Sequence, residues 1–192
     1  MTDAKTIPNV VITQLIRGRA EMNVLLIVSA SVLIAIAAQI AVPLPFTPVP
    51  LTMQPLAVIL VGVTLGSARG SAAAALYLLE GFAGMPVFAE GHAGVFWATA
   101  ATAGFLWSYP LAAWVAGRVS ERGWGSTTMR AIAGMLAALA VIYIGGWSWL
   151  SIAMGARGAF IAGVQPFVLA DIIKVAIGAA MLPHMQRLVR HL

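Results

Sequence analysis

The stretch VLLIVSASVLIAIAAQIAV, residues 24–42, runs 19 residues without one ionisable group. Long apolar runs recur at 98–118, 129–150 and 166–182. A helix needs about 20 residues to cross the roughly 30 Å hydrocarbon core of a bilayer. Backbone N–H and C=O groups find no water there, so only helices or a closed barrel can span it. The runs are continuous rather than alternating, which is not the barrel pattern. The expected fold is therefore an all-α integral membrane protein. The composition agrees: 61% of residues are hydrophobic and 9% charged, against about 25% charged in a soluble domain. Residues 35–37, Ala-Ile-Ala, loosely fit a signal-cleavage site. The run around them is longer than the usual h-region of about 7–15 residues, and more spans follow, so it reads as a retained helix.

Between the first two runs lies LAVILVGVTLGSARGSAAAALYLLEGF, residues 56–82, with Gly66 to Gly70 at its middle. It is either one long helix or two short ones. Basic residues decide, because Lys and Arg favour cytoplasmic loops. Six helices with the N-terminus inside put Lys5, Arg17, Arg19, Arg69, Arg118, Arg122, Arg130, Arg187 and Arg190 on the inner side, and Arg157 alone outside. Five helices leave four basic residues inside (Lys5, Arg17, Arg19 and Arg157) and five outside. The expectation is thus six helices, the second and third short and joined by a tight turn, with both termini cytoplasmic. The 192 residues form a single membrane domain: an N-terminal segment over about 1–22, a bundle over 23–185 and a tail at 186–192.

This topology turns three loops outward, at 43–53, 83–97 and 151–165. The first is stiffened by Pro43, Pro45, Pro48 and Pro50, with Pro55 just beyond it, since proline fixes φ. The second mixes glycine, proline and aromatics with Glu90 and His92, and the third is glycine-rich. The inner loops are short and basic, so the working face looks outward.

The last run, FVLADIIKVAIGAAML, carries Asp171 and Lys174. A charge at the bilayer centre costs on the order of 3 kcal/mol, and intramembrane ionisable groups are usually functional. Spaced i and i+3, the two share a helix face. Beneath the outer end of the last helix they can form a polar patch in a cavity, or merely lock two helices together. The lysine suits a carboxylate and the aspartate suits N–H donors. Phe88, Phe96, Trp97, Tyr77 and Phe167 fall at the same end, which favours a small, mostly apolar acid with a polar ring.

Other function classes find little support. There is no cysteine, hence no thiolate metal site or thiol nucleophile. No metal-ligand spacing and no cofactor motif occurs. The net charge of +5 is spread as membrane-flanking residues, not as a nucleic-acid-binding run. An intramembrane enzyme would need a positioned acid–base pair, but His184 and His191 lie in the tail, at the end opposite Asp171. A scaffold remains the other alternative.

FTPVPLTMQPLAVILVGVTLG, YLLEGFAGMPVFAEGHAG and PFVLADIIKVAIGAAMLP occur in an order that resembles the BioY family, the biotin-binding S components of energy-coupling factor transporters. The resemblance implies six helices, a biotin pocket on the outer side and no ATPase activity in this subunit. It makes Asp171 and Lys174 the counterparts of the family's last-helix aspartate and lysine. Thr52 and Gln54 fall in the matching outer loop and Tyr77 in the matching third helix; Thr52 and Gln54 are equally suited to capping a helix. Phe88 belongs to the expected wall, and Glu80 is a further candidate acceptor. ATAATAGFLWSYP departs from the family's pattern at the start of helix 4, where Thr102, Gly104 and Tyr109 alone echo it. The implied partners are biotin, membrane lipid, a transmembrane coupling subunit and two ATPases. Ser31, Ala35 and Ala38 form a small-residue stripe on which a foreign helix could dock, internal packing being the alternative. The nearest rival function is an S component for a different vitamin.

Overall fold

A computed structural model describes residues 20–123 and 128–190. Among the described residues six α-helices follow one another: α1 Ala20–Gln39, α2 Gln54–Leu65, α3 Ser67–Phe82, α4 Ala103–Glu121, α5 Thr128–Gly163 and α6 Val168–Arg190. A two-residue ladder, β1 Ala41–Val42 against β2 Leu51–Thr52, closes the loop between α1 and α2. α1 and the stretch Met129–Gly163 of α5 are each long and apolar enough to cross a membrane.

The short second and third helices are present. α2 has 12 residues and α3 has 16, about 18 and 24 Å at 1.5 Å per residue. Neither matches a full hydrocarbon core on its own. α2 tolerates this because it is an inner helix: Ala57, Val58, Ile59, Val61 and Val63 are all buried. The turn between them is one residue, Gly66, at φ 82°, a conformation that glycine adopts without a Cβ clash. Gly70, expected at the turn, lies inside α3. The first N–H of α3 then needs a partner. Ser67 N donates to Glu121 Oε1 at 2.7 Å and Ser67 Oγ at 2.9 Å, so a carboxylate from the end of α4 caps the start of α3, where the helix dipole favours it.

α4 lies at the centre of the bundle against α2, α3 and α5. Small residues let these helices approach closely. A Cβ on Gly145 of α5 would stand 2.7 Å from the Gly104 carbonyl oxygen of α4. Ile34, Val58, Ala73, Ala112 and Ala138 fill the core, while Val24, Leu25, Val32 and Ile36 of α1 and Leu169, Ile173 and Ile177 of α6 face outward. α1 is thus apolar toward its neighbours and outward alike, as a bilayer-embedded helix can be, whereas α6 is apolar outward and buries Asp171 on its inner face.

The boundaries depart from expectation in four places. α1 stops at Gln39 because Ala41 and Val42 pair with the next strand instead of continuing the helix. α4 starts at Ala103, after short turns over residues 98–102. The third outer loop is helical: α5 breaks at Gly155, with φ 70°, and its last turns fold back so that Trp147 Nε1 donates to Ala156 O at 3.0 Å. At the ends, α1 begins at Ala20 and α6 reaches Arg190, into segments expected to lie outside the bundle; residues 1–19 are outside the described residues.

Candidate ligand-binding site

A cavity of about 870 Å³, measured out into its open mouth, occupies the end of the bundle where α2, α4 and α6 begin. The wall is mostly apolar, with Pro48, Pro50, Phe88, Trp97, Phe105 and Phe167 among its members. The proline-rich strap over 43–53 supplies one side and the loop over 83–102 the other.

The polar floor is a braced network. Lys174 Nζ donates to Asp171 Oδ1 at 2.8 Å, and Tyr143 OH from α5 donates to Asp171 Oδ2 at 2.7 Å. Lys174 also donates to the Thr52 carbonyl at 2.8 Å, which ties α6 to β2. The side chains of Lys174 and Asp171 are 14% and 6% exposed. A buried ion pair is tolerable when the remaining hydrogen-bonding capacity is met, and both carboxylate oxygens are met here. Beside it, Gln54 Nε2 donates to Tyr77 OH, while Tyr109 OH donates to Gln54 Oε1 at 3.4 Å. Thr52 Oγ1 accepts from Gln54 N at 3.3 Å, so this threonine organises the start of α2 as well as touching the cavity.

The residues expected at the site fall into three groups. Asp171, Thr52, Gln54 and Phe88 line the cavity. Lys174 and Tyr77 stand one hydrogen bond behind it. Glu80 is elsewhere: its Oε1 accepts from Ser31 Oγ at 3.1 Å, joining α3 to α1. That bond also corrects the expected docking stripe. Ser31 and Ala38 are fully buried and Ala35 half-buried within the chain. The small residues admit α3, not a foreign helix. Phe96 turns outward and is 72% exposed.

Tyr143 was the floor residue that residue patterns did not single out, although a signal existed. The chain has three tyrosines, and a phenol inside an apolar helix must find a hydrogen-bond partner when buried. All three join this network. His92 also reaches the rim, where its Nδ1 donates to Ala89 O at 2.8 Å and its ring stacks on Trp97 at 4.2 Å between centroids. Chemically, the site offers carboxylate and amide acceptors, phenolic hydroxyls and a nearby ammonium inside aromatic and proline walls.

The pattern of the BioY family matches residues 12–191. The chain belongs to the BioY family. A Pyrococcus horikoshii protein, a probable biotin transporter BioY, is 36% identical over 154 residues, covering 80% of this chain and 90% of its own. The biotin transporter BioY of Rhizobium etli is 33% identical over 161 residues, covering 79% and 86%. The crystal structure of the S-component for biotin from an ECF-type ABC transporter superposes with a TM-score of 0.77 at 18% identity, over 87% of this chain and 92% of that one; that likeness bears on the fold. As a BioY protein, this chain is a membrane protein.

Proposed function

We propose that this BioY protein binds biotin in the cavity and is the substrate-specific subunit of an ECF-type transporter. The observation that carries the reading is Asp171: a buried carboxylate with both oxygens hydrogen-bonded, facing an apolar cavity, in a chain similar to biotin transporters along most of its length. The thioether ring and aliphatic chain of biotin suit the aromatic and proline walls. Its ureido N–H groups suit the Asp171 and Gln54 oxygens, and Lys174 keeps Asp171 ionised as an acceptor from behind.

The cavity faces the cell exterior and both termini lie in the cytoplasm. Supporting this, Arg69 at the start of α3 and Arg118 and Arg122 at the end of α4 sit at the far end of the bundle from the cavity, as expected for a cytoplasmic face. Energy comes from outside the chain, through a transmembrane coupling subunit and two ATPases; the sequence holds no G-x-x-x-x-G-K-[ST] phosphate loop.

Calorimetric titration of the detergent-purified protein tests the binding. Biotin should saturate one site, and Asp171→Asn and Lys174→Ala should each weaken it at least tenfold, about 1.4 kcal/mol. Saturation by thiamine or riboflavin with no response to biotin would replace this substrate with another vitamin. For orientation, the chain has no cysteine, so a Glu90→Cys variant in intact cells should react with an impermeant thiol reagent. Protection of that thiol until the cells are opened would reverse the topology.

A further inference from the structure

The loop between α3 and α4 gives the cavity Phe88, Ala89, Glu90, His92 and Trp97. It is made of short turns and left-handed backbone, with φ 61° at Glu90 and 72° at Gly91. Its backbone bonds are mostly short-range, such as Phe88 N to His92 O at 3.0 Å and Gly91 N to Phe88 O at 3.1 Å, so they shape the loop without fixing it to a neighbouring helix. Trp107 and Trp149 donate to the loop's far part, at Ala98 O and Ala100 O; among the described residues one side chain from another element hydrogen-bonds residues 87–91. Gln39, the last residue of α1, donates from Nε2 to Phe88 O at 3.0 Å and to Val87 O at 3.3 Å, and its Oε1 accepts from Gly91 N at 3.1 Å. Both ends of one amide therefore grip the same five residues, 87–91. Gln39 does not line the cavity; its Nε2 also lies 3.3 Å from Ala35 O in its own helix, but its shortest contacts, to Phe88 O and from Gly91 N, are to the loop.

We propose that Gln39 is a positioning residue whose amide clamps residues 87–91 onto the end of α1, holding Phe88 and the His92 rim over the ligand and so setting how slowly the ligand leaves. This rests on the cavity being the ligand site. The clamp needs a group that donates to two carbonyls and accepts from one N–H, and only an amide does both. Glutamate has the same shape, keeps the acceptor for Gly91 and loses the donor.

The full-length protein in detergent, with labelled biotin chased by excess unlabelled biotin, separates release from capture. Gln39→Ala should release biotin about tenfold faster, the scale of one to two net hydrogen bonds, with association changed less than twofold. Gln39→Glu should release it at least as fast as Gln39→Ala. Hydrogen exchange without ligand supplies the second measurement: the Gly91 amide, which also donates to Phe88 O at 3.1 Å, should exchange severalfold faster in Gln39→Ala, while amides of α2 and α4 keep their wild-type rates. An unchanged release rate, wild-type behaviour in Gln39→Glu, or faster exchange spread over the whole bundle would each overturn the clamp. Wild-type protein that never binds biotin would count against the transport reading instead, and the exchange result would still decide Gln39.

Discussion

At the floor of the cavity, Asp171 receives Lys174 and Tyr143 at 2.8 and 2.7 Å, from helices whose backbones are already satisfied. At the rim, residues 87–91 are tied to α1 by a single glutamine amide. The floor bonds involve charges and are shielded from water, so removing one partner leaves another stranded. The rim bonds are neutral, two of them exposed and the one to Phe88 O part-buried, each contributing about 0.5–1.5 kcal/mol net. On the proposed reading, affinity and selectivity come from the fixed base, and the rate of release from the edge held by Gln39.

The comparison breaks most visibly at Lys174. Lys174→Met should leave Asp171 buried and uncompensated, a loss of about 3–5 kcal/mol that thermal unfolding in detergent would register as a fall on the order of 10 °C. An unchanged unfolding temperature would mean that the pair adds nothing to the fold. Tyr143→Phe comes next. It deletes one hydrogen bond to a charged acceptor, about 1.5–3 kcal/mol, and biotin affinity measured by calorimetry should drop roughly tenfold to a hundredfold; a rim-dominated site would show no change.

At the rim the effects shrink. Thr47 ties the proline-rich strap to α5 by donating to Ala162 O at 2.7 Å and accepting from Val49 N at 3.2 Å. Thr47→Val should cost about 1 kcal/mol, visible as severalfold faster biotin release, with little added effect on association. The smallest change is expected at Glu90, whose φ of 61° suits asparagine better than glutamate. Glu90→Asn should raise the unfolding temperature by about 1 °C at most, and a clear fall would show that the Glu90 carboxylate has a structural partner in the loop.

Much of this architecture is legible along single helices. Hydropathy marks the spans, and the spread of arginines separates one long helix from the α2–Gly66–α3 hairpin. The i, i+3 spacing of Asp171 and Lys174 already brings them together, because both lie on one helix. Legibility stops where a side chain crosses to another element. Nothing local says that Tyr143 meets Asp171 or that Gln39 reaches Gly91. The Ser31, Ala35 and Ala38 stripe shows the same limit: small residues mark a close helix contact but not which helix makes it, and the partner is α3.

The sequence alone determined how many helices there are, which two are short, and where a charged pair must be sheltered from lipid. These follow from the cost of bare backbone and bare charge in hydrocarbon, which is charged segment by segment. Tertiary structure alone decided how each helix turns about its own axis. A bilayer helix can be apolar toward lipid and toward its neighbours alike, so α1 carries no polar stripe to say that Ile34 faces inward and Ile36 outward. Packing sets that rotation, and with it the tyrosines at the floor, the amide at the rim and the space between them.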